Sequence, residues 1–377
     1  MGFGIEEEQA ALRVIRSGSL SGYQGNWSDA FWGGEEVKAL ECEWAQYFGV
    51  KHAIFCNSAT SGLYIACAIL NLKPKDEIIV APYSMVCSAS MPLNFGAIPI
   101  FADIEREYYC LDPASIESKI TDNTKAVIVV NLFGMPADYD KINEICHKRD
   151  VTVIEDNAQG IGATYKGRFT GTLGDVGVFS LNRHKIINAG EGGIVVTNDD
   201  KLAFKARLIL NHSESIINDI KRQGKMGDFE NWNELVPLVG QNLRGTELTA
   251  AIAREQLKKL SGILKVYQDE AIHFPIKVRP ECTSTFYKYA WMPDKIFDGL
   301  PVVPHDKSSP PYPHVHDQMN CAWYHEHLDF KFDIKQHYIT PIYQMPLFRH
   351  LGYDEHLCPV CEEVEKGIVL AWFKNPI

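Results

Sequence analysis

Two residues capable of chemistry occupy matching places in the chain: Asp156 ends the run VTVIED, and Lys185 follows the run VGVFSLN, 29 positions later. Both runs are short, apolar and rich in β-branched residues, the pattern of a buried strand. In an open α/β sheet the strands present their carboxyl ends at one edge, where loops and helix starts gather around ligands. The spacing therefore brings an amine and a carboxylate to the same edge. An arbitrary Asp and Lys so placed form a salt bridge and nothing more. Facing a ligand, the amine is a nucleophile and proton carrier, and the carboxylate stabilises a proton on a basic nitrogen. A third feature is NSATSGLYIA, directly after the run HAIFC. Its Ser and Thr suit an ordinary helix N-cap, and the unpaired N–H groups of the same turn suit an anion such as phosphate.

The stretch IEDNAQGIGATYKGRFTGTLGDVGVFSLNRHKIINAGEGG resembles the DegT/StrS family of sugar aminotransferases, a branch of the aspartate-aminotransferase fold. It carries that family's E-D-x-A-Q, then G-A-x-Y-x-G, then G-D-x-x-x-F-S-(F/L) with a lysine five places after the serine, then G-E-G-G. Ser180 plus five is Lys185, without a gap. The resemblance runs from about Gly22 to the end and is strongest between His52 and Asn198.

The resemblance implies a fold type I transferase dependent on pyridoxal 5'-phosphate. Lys185 is then the catalytic residue, bonded to the cofactor as a Schiff base and afterwards shuttling a proton as base and acid. Asp156 would lie beside the ring nitrogen, where a fixed carboxylate keeps it protonated and the ring an electron sink. Gln159 would meet the phenolic oxygen, and Ala59, Thr60, Ser61 and Ser180 the phosphate. In APYSMVCSAS, Met85 falls at the ring-stacking position where the family usually has Phe or Trp; sulfur also packs on a ring face. GQNLRGTEL matches the family's G-x-N-x-R-x-(T/S)-E element, implying that Asn242, with Arg244 nearby, reaches the partner's cofactor phosphate across a homodimer with shared active sites. Alone, that segment reads as a helix entry with a structural arginine.

The implied activity moves an amino group from glutamate, or from glutamine in cyclitol-type members, to a keto group of a nucleotide-linked deoxysugar or a keto-cyclitol. Two other readings keep the fold. A pyridoxal-phosphate sugar dehydratase carries histidine in the lysine slot, but His184 stands one position early. A non-catalytic regulator has no physical need to keep Asp156, Gln159, Ser180 and Lys185 together. The chain departs from the family at Asn131 in NLFGMPAD and Tyr343 in TPIYQMP, where histidine is usual. The opening loop SLSGYQGNWSDAFWGGEEV is long and carries two tryptophans, and the chain stops at LAWFKNPI, which suggests an altered substrate mouth and a missing last helix.

Positioning these residues requires a particular scaffold. Further strands are expected at EIIVAP to Pro82, IPIFADI to Ile104, AVIVVNLFG to Gly134 and GIVVTN to Asn198. Helical spacing appears from Ser61 to Leu70, Ser84 to Asn94 and Asp138 to Lys148. This alternation predicts the α/β class with a mostly parallel sheet. The rhythm changes near Gly240, with a helix expected from about Thr246 to Leu260 and then the Pro-rich stretch VVPHDKSSPPYPHVH. We therefore expect a large cofactor-binding domain over residues 1–257 and a smaller α+β C-terminal domain over 258–377.

Composition narrows the class further. The net charge of −11 argues against a nucleic-acid partner, and no apolar run reaches the roughly 18 residues of a membrane span. With an acidic amino end as well, a cytoplasmic enzyme is expected. The 10 cysteines are scattered, and Cys56, Cys67 and Cys87 read as small buried hydrophobes rather than disulfide partners. Cys358-x-x-Cys361 is a lone pair despite His325, His327, His350 and His356 nearby, and a loop with His305, His314 and His316 reads as solvated or substrate-facing; no metal is expected. NAGEGG is not G-x-G-x-x-G, so no dinucleotide site is expected.

Overall fold

The computed structural model describes residues 3–229, 232–292, 332–336 and 340–373. Its main sheet is built from β1 (His52–Cys56), β2 (Glu77–Val80), β3 (Ile98–Phe101), β4 (Thr124–Val130), β5 (Thr152–Asp156), β8 (Val176–Ser180) and β9 (Gly193–Thr197). The strand order is β1-β9-β8-β5-β4-β2-β3. Strands β3, β2, β4, β5 and β8 run parallel, and β9 lies antiparallel between β8 and β1. Runs such as AVIVV in β4 and VGVFS in β8 are buried at every position, as expected for a sheet covered on both faces.

The helices are α1 (Ile5–Ser17), α2 (Glu35–Phe48), α3 (Ala59–Ala68), α4 (Cys87–Ser90), α5 (Pro113–Lys119), α6 (Tyr139–His147), α7 (Asp200–Leu210), α8 (Ser213–Arg222), α9 (Trp232–Leu235), α10 (Glu247–Glu270), α11 (Pro346–His350) and α12 (Pro359–Gly367). Two smaller sheets complete the described fold. One joins β10 (Cys282–Thr283) to the hairpin of β6 (Thr164–Tyr165) and β7 (Arg168–Phe169). The other has β13 (Val369–Phe373) between β11 (Tyr289–Trp291) and β12 (Phe332–Gln336).

All seven expected strands form, and the differences have local causes. The run toward Gly134 stops at Val130, because Leu132–Gly134 closes a 3-10 turn with Phe133 at φ 57°. The helix expected from Ser84 to Asn94 breaks into α4 and a 3-10 turn at Pro92–Phe95, since proline has no N–H for a continuing helix. Helix α10 runs past its expected end at Leu260 because Ile263, Leu264 and Tyr267 continue the buried stripe, and residue 257 lies inside it.

The tryptophans of the opening loop pack inward. Trp27 sits against Phe31, Phe204 and Phe229 with centroids 5.3, 6.1 and 5.8 Å away, and the Arg207 guanidinium lies 5.2 Å from the Trp32 ring. Cys358 and Cys361 are buried, with both thiols pushed up by burial, and the Asp103 carboxylate caps α12 by accepting the Val360 and Cys361 N–H groups at 2.9 Å each. The stretch 302–316, with His305, His314 and His316, lies outside the described residues, as do His325 and His327. Among the described residues no helix is long and apolar enough to cross a membrane, and no group of His, Cys, Asp or Glu is arranged to hold a metal ion.

Candidate active site

Asp156 is the last residue of β5, in register with Val130 of β4 and Val178 of β8, so it sits at the middle of the sheet's carboxyl edge. It is 3% exposed. Its carboxylate accepts the Ser88 hydroxyl at 2.8 Å and the Ala158 N–H at 3.2 Å. Burial pushes its pKa up, and these two bonds and the charge of Lys185 oppose that rise without cancelling it.

Lys185 projects from the connection between β8 and β9. That connection is closed by backbone bonds from Leu181 N to Gly192 O at 2.8 Å and from Arg183 N to Gly190 O at 2.9 Å, and the Lys185 N–H caps a turn on Asn182 O at 2.9 Å. Its Nζ lies 4.7 Å from the centroid of the Tyr287 ring. The Cys87 thiol bonds Thr60 and senses the charges of both Asp156 and Lys185; burial first, then Asp156, pushes it up to about 12. Thr60, Cys87, Asp156 and Lys185 therefore share one space.

The start of α3 borders that space. Ser58 is its N-cap: its Oγ accepts the Ser61 N–H at 3.1 Å and its hydroxyl donates to Ser61 Oγ at 3.0 Å, while the Ser61 hydroxyl donates to Asn57 Oδ1 at 2.5 Å. The N–H groups of Ala59 and Thr60 donate to no acceptor among the described residues, which leaves two helix-start donors for an anion. Gly193 permits this turn to lie on β9: a Cβ there would stand 2.4 Å from Ser58 C and 2.5 Å from Ala59 N.

Gln159 is 4% exposed, and its carbonyl accepts the Phe133 N–H at 2.8 Å, which leaves its amide NH₂ as the donor end. Ser180 ends β8, nearly buried. Met85 is 60% exposed; the buried contact that its segment makes with Asp156 comes from Ser88 instead. Asn242 is exposed, bonded by Arg244 Nε at 2.8 Å, on a loop whose Leu243 carbonyl accepts the Asn57 N–H at 2.8 Å.

Several motif residues turn out to frame the site. Glu155, fully buried, accepts the N–H groups of Gly171 and Gly174 at 2.6 Å each and that of Leu173, and so ties the GRFTGTLGD loop to β5. Asn131 donates to Asn157 at 2.9 Å and accepts Tyr139 OH at 3.0 Å inside the core. Glu247 caps α2 by accepting Gly34 N–H at 3.1 Å and Glu36 N–H at 2.8 Å. Tyr343 is buried, its hydroxyl donating to Glu362 at 2.7 Å. Neither Asn131 nor Tyr343 is left with a side chain open to solvent.

A sequence profile of the DegT/DnrJ/EryC1/StrS aminotransferase family matches residues 23–280. The chain belongs to this family. It is 39% identical over 227 residues to a GDP-perosamine synthase from Caulobacter vibrioides, covering 60% of this chain and 57% of that protein. It is 34% identical over 309 residues to an L-glutamine:2-deoxy-scyllo-inosose aminotransferase from Streptoalloteichus tenebrarius, covering 78% and 70%. Among solved structures, an aminotransferase from Psychrobacter cryohalolentis matches with a TM-score of 0.76 at 28% identity, over 98% of this chain and 91% of that one. These likenesses carry the fold type I α/β architecture and the aminotransferase class.

Pyridoxal phosphate is the family's cofactor, and the site has complementary parts for it. A buried carboxylate with only two donors suits a cationic ring nitrogen, and two unpartnered helix-start N–H groups suit a phosphate. Ser88 and Tyr287 were not singled out in the sequence, and Cys87, read there as a small buried hydrophobe, borders the site. Ser88 lies three residues after Met85 and 68 before Asp156, and Tyr287 lies 102 positions beyond Lys185 with no local signal.

Proposed function

We propose that this protein is an aminotransferase that moves an amino group from glutamate or glutamine to the keto group of a nucleotide-linked deoxysugar or a keto-cyclitol. The observation that carries the proposal is the meeting of the Asp156 carboxylate and the Lys185 amine beside the open start of α3. Bound pyridoxal phosphate would supply an electron sink for the pair released when a C–H bond of the amino compound breaks. Asp156 holds a proton on the ring nitrogen, and its burial strengthens the attraction between the carboxylate and that cation. Lys185 anchors the cofactor and carries the proton between carbon centres. Ala59, Thr60 and Ser61 of α3 and the Ser180 hydroxyl hold the phosphate, Gln159 donates its NH₂ to the phenolic oxygen, and Met85 covers a ring face.

In the same proposal the protein is a homodimer in which Asn242 completes the partner's phosphate site; the exposure of Asn242 supports this. The unit over residues 1–257 carries the cofactor and that over 258–377 shapes the substrate side, with α10 shared between them. Free thiols at all the described cysteines suit a reducing compartment, the cytoplasm. The decisive experiment supplies glutamate or glutamine with a panel of nucleotide-linked 3-keto and 4-keto sugars and keto-inositols, and reads products by mass spectrometry. Replacement of a ketone oxygen by an amine is expected for at least one acceptor. Loss of water from a keto-sugar without amination would overturn the proposal in favour of a dehydratase.

A further inference from the structure

Among the described residues the Lys185 amine makes no hydrogen bond and no ion pair; it stands over an aromatic ring, 4.7 Å from the centroid of Tyr287. Asp156 and Cys87 sense its charge from farther off. A ring face attracts a cation within about 6 Å of its centroid through the ring quadrupole, and it offers no lone pair to take the proton. Lys288 Nζ lies 5.7 Å from the same centroid, near that limit, so Lys185 is the closer cation.

A strained turn holds the ring in this place. Phe286, directly before Tyr287, has φ 51°, in the left-handed region that a bulky side chain avoids. Such a residue persists only where its neighbours over-determine it, and such residues cluster at functional sites. Here the buried Thr285 and Ser284 hydroxyls donate to Gln159 O at 2.8 Å and to Gly134 O at 3.0 Å, and the Phe286 N–H donates to Ser284 Oγ at 3.0 Å. Gly134 permits the approach, since a Cβ there would collide with Thr285 Oγ1. The Phe286 ring stacks on Tyr289 at 6.1 Å, Tyr289 stacks on Phe274 at 4.4 Å, and the Tyr289 hydroxyl donates to Tyr267 O of α10 at 3.0 Å. With both flanks fixed, Tyr287 is left little choice of direction.

We propose that Tyr287 is a positioning residue for Lys185: its ring receives the amine whenever that amine is not bonded to the cofactor, which stabilises the pyridoxamine form of the protein over the pyridoxal form. The inference rests on the aminotransferase reading and adds to it a residue of the C-terminal unit. In the half-reaction with the donor, Lys185 begins bonded through its nitrogen to the cofactor's aldehyde carbon. The donor nitrogen takes its place on that carbon, and the C–H bond of the donor breaks. Lys185 carries the proton to the aldehyde carbon, which the two electrons of the broken bond reduce, and water releases the oxidised donor as a ketone. Lys185 ends as a free amine. Only in this second state can it lie on the ring as a cation, so the attraction of the ring counts wholly towards the aminated cofactor.

The test uses Tyr287→Phe, which keeps the face, and Tyr287→Leu, which removes it. A trifluorinated phenylalanine installed at position 287 keeps the shape and weakens the face, and serves where the leucine form folds poorly. Each cofactor-loaded protein is brought to equilibrium with glutamate and its keto acid, or glutamine and its own, at fixed ratios, and the two cofactor forms are read by absorbance. The original protein and Tyr287→Phe are expected to agree, whereas Tyr287→Leu shifts about fivefold towards the pyridoxal form and the fluorinated protein part of the way. Fluorescence titration of the cofactor-free proteins reads the same shift without turnover: the leucine form binds pyridoxal phosphate about fivefold tighter relative to pyridoxamine phosphate. Ratios unchanged in the leucine and fluorinated proteins overturn the proposal, even if their melting temperatures fall, because Tyr287 then only packs. A shift in Tyr287→Phe as large as in Tyr287→Leu also overturns it, because the hydroxyl rather than the face then holds the amine. Failure of the parent reading is distinguishable: the unaltered protein would show no conversion between cofactor forms with either donor, while the titration still reports on the ring.

Discussion

Replacing Asp156 with Asn separates the cost of the site from its use. The carboxylate is 3% exposed and receives only two hydrogen bonds, from Ser88 and Ala158, for about four lone-pair positions. Burial accordingly raises its pKa above the unfolded value, so its contribution favours the fold fully only below the unfolded pKa and is lost as pH rises through the folded one. At pH 8 the cofactor-free protein therefore carries an unfavourable buried charge that Asn removes. Asn keeps one acceptor oxygen, and the Ser88 hydroxyl can turn to accept from its amide. A gain of about 1 kcal/mol, roughly 2 °C in melting temperature for a chain of this size, is expected at pH 8, shrinking as the pH falls into the carboxylate range. With the cofactor the order reverses. Deleting one member of a buried charge pair costs roughly 3 to 5 kcal/mol, so pyridoxal-phosphate affinity falls on the order of a hundredfold or more. The assay is thermal melting of stripped protein from pH 5 to 9, with and without added pyridoxal phosphate. A stripped Asn variant no more stable than the original at pH 8, or one stabilised equally by the cofactor, would refute the reasoning.

The other expectations are narrower. Lys185→Ala should fold, since the side chain's described contact is the Tyr287 ring, but borohydride treatment with pyridoxal phosphate should leave no cofactor mass on the protein; a labelled Lys185→Ala chain would remove that residue from its role. Ser88→Ala strips one of two donors from Asp156 and should weaken cofactor binding by about 1 kcal/mol, roughly fivefold, read by fluorescence titration. Gly193→Ala puts a Cβ 2.4 Å from Ser58 C, so the α3 turn must move; cofactor affinity should drop about tenfold with a loss of about 1 to 3 kcal/mol in stability, checked by titration and chemical denaturation.

How much of this was legible in the chain follows from where each interaction is encoded. Asp156, Lys185 and the α3 start could be found because each sits at the end of a β-branched run, and strand ends in such a sheet converge whatever the loops do. Ser88 could not. Its bond to Asp156 spans 68 positions of sequence, and helical periodicity, which predicted one longer helix, carries no signal for such a contact. Met85 was aligned by position within a motif, and position does not report that the side chain is 60% exposed. Tyr287 and Lys288 were invisible because they arrive through the two-residue pairing of β10 with β6, too short to carry a pattern.

The framing acids show why a motif can be more conspicuous than its chemistry. Glu155 stands beside Asp156 in sequence, yet alternation along a strand sends the two side chains to opposite faces. Asp156 faces the space it shares with Lys185, whereas Glu155 gathers three N–H groups of the loop before β8. That loop sets the start of β8 through Asp175, whose N–H donates to Val153 O at 2.9 Å and whose carboxylate accepts Val153 N–H at 2.7 Å. The start of β8 in turn fixes how far along the edge Ser180 and the Lys185 turn emerge. The E-D pair thus divides its labour: one carboxylate holds the register from which the Lys185 turn emerges, and the other faces the space that Lys185 enters.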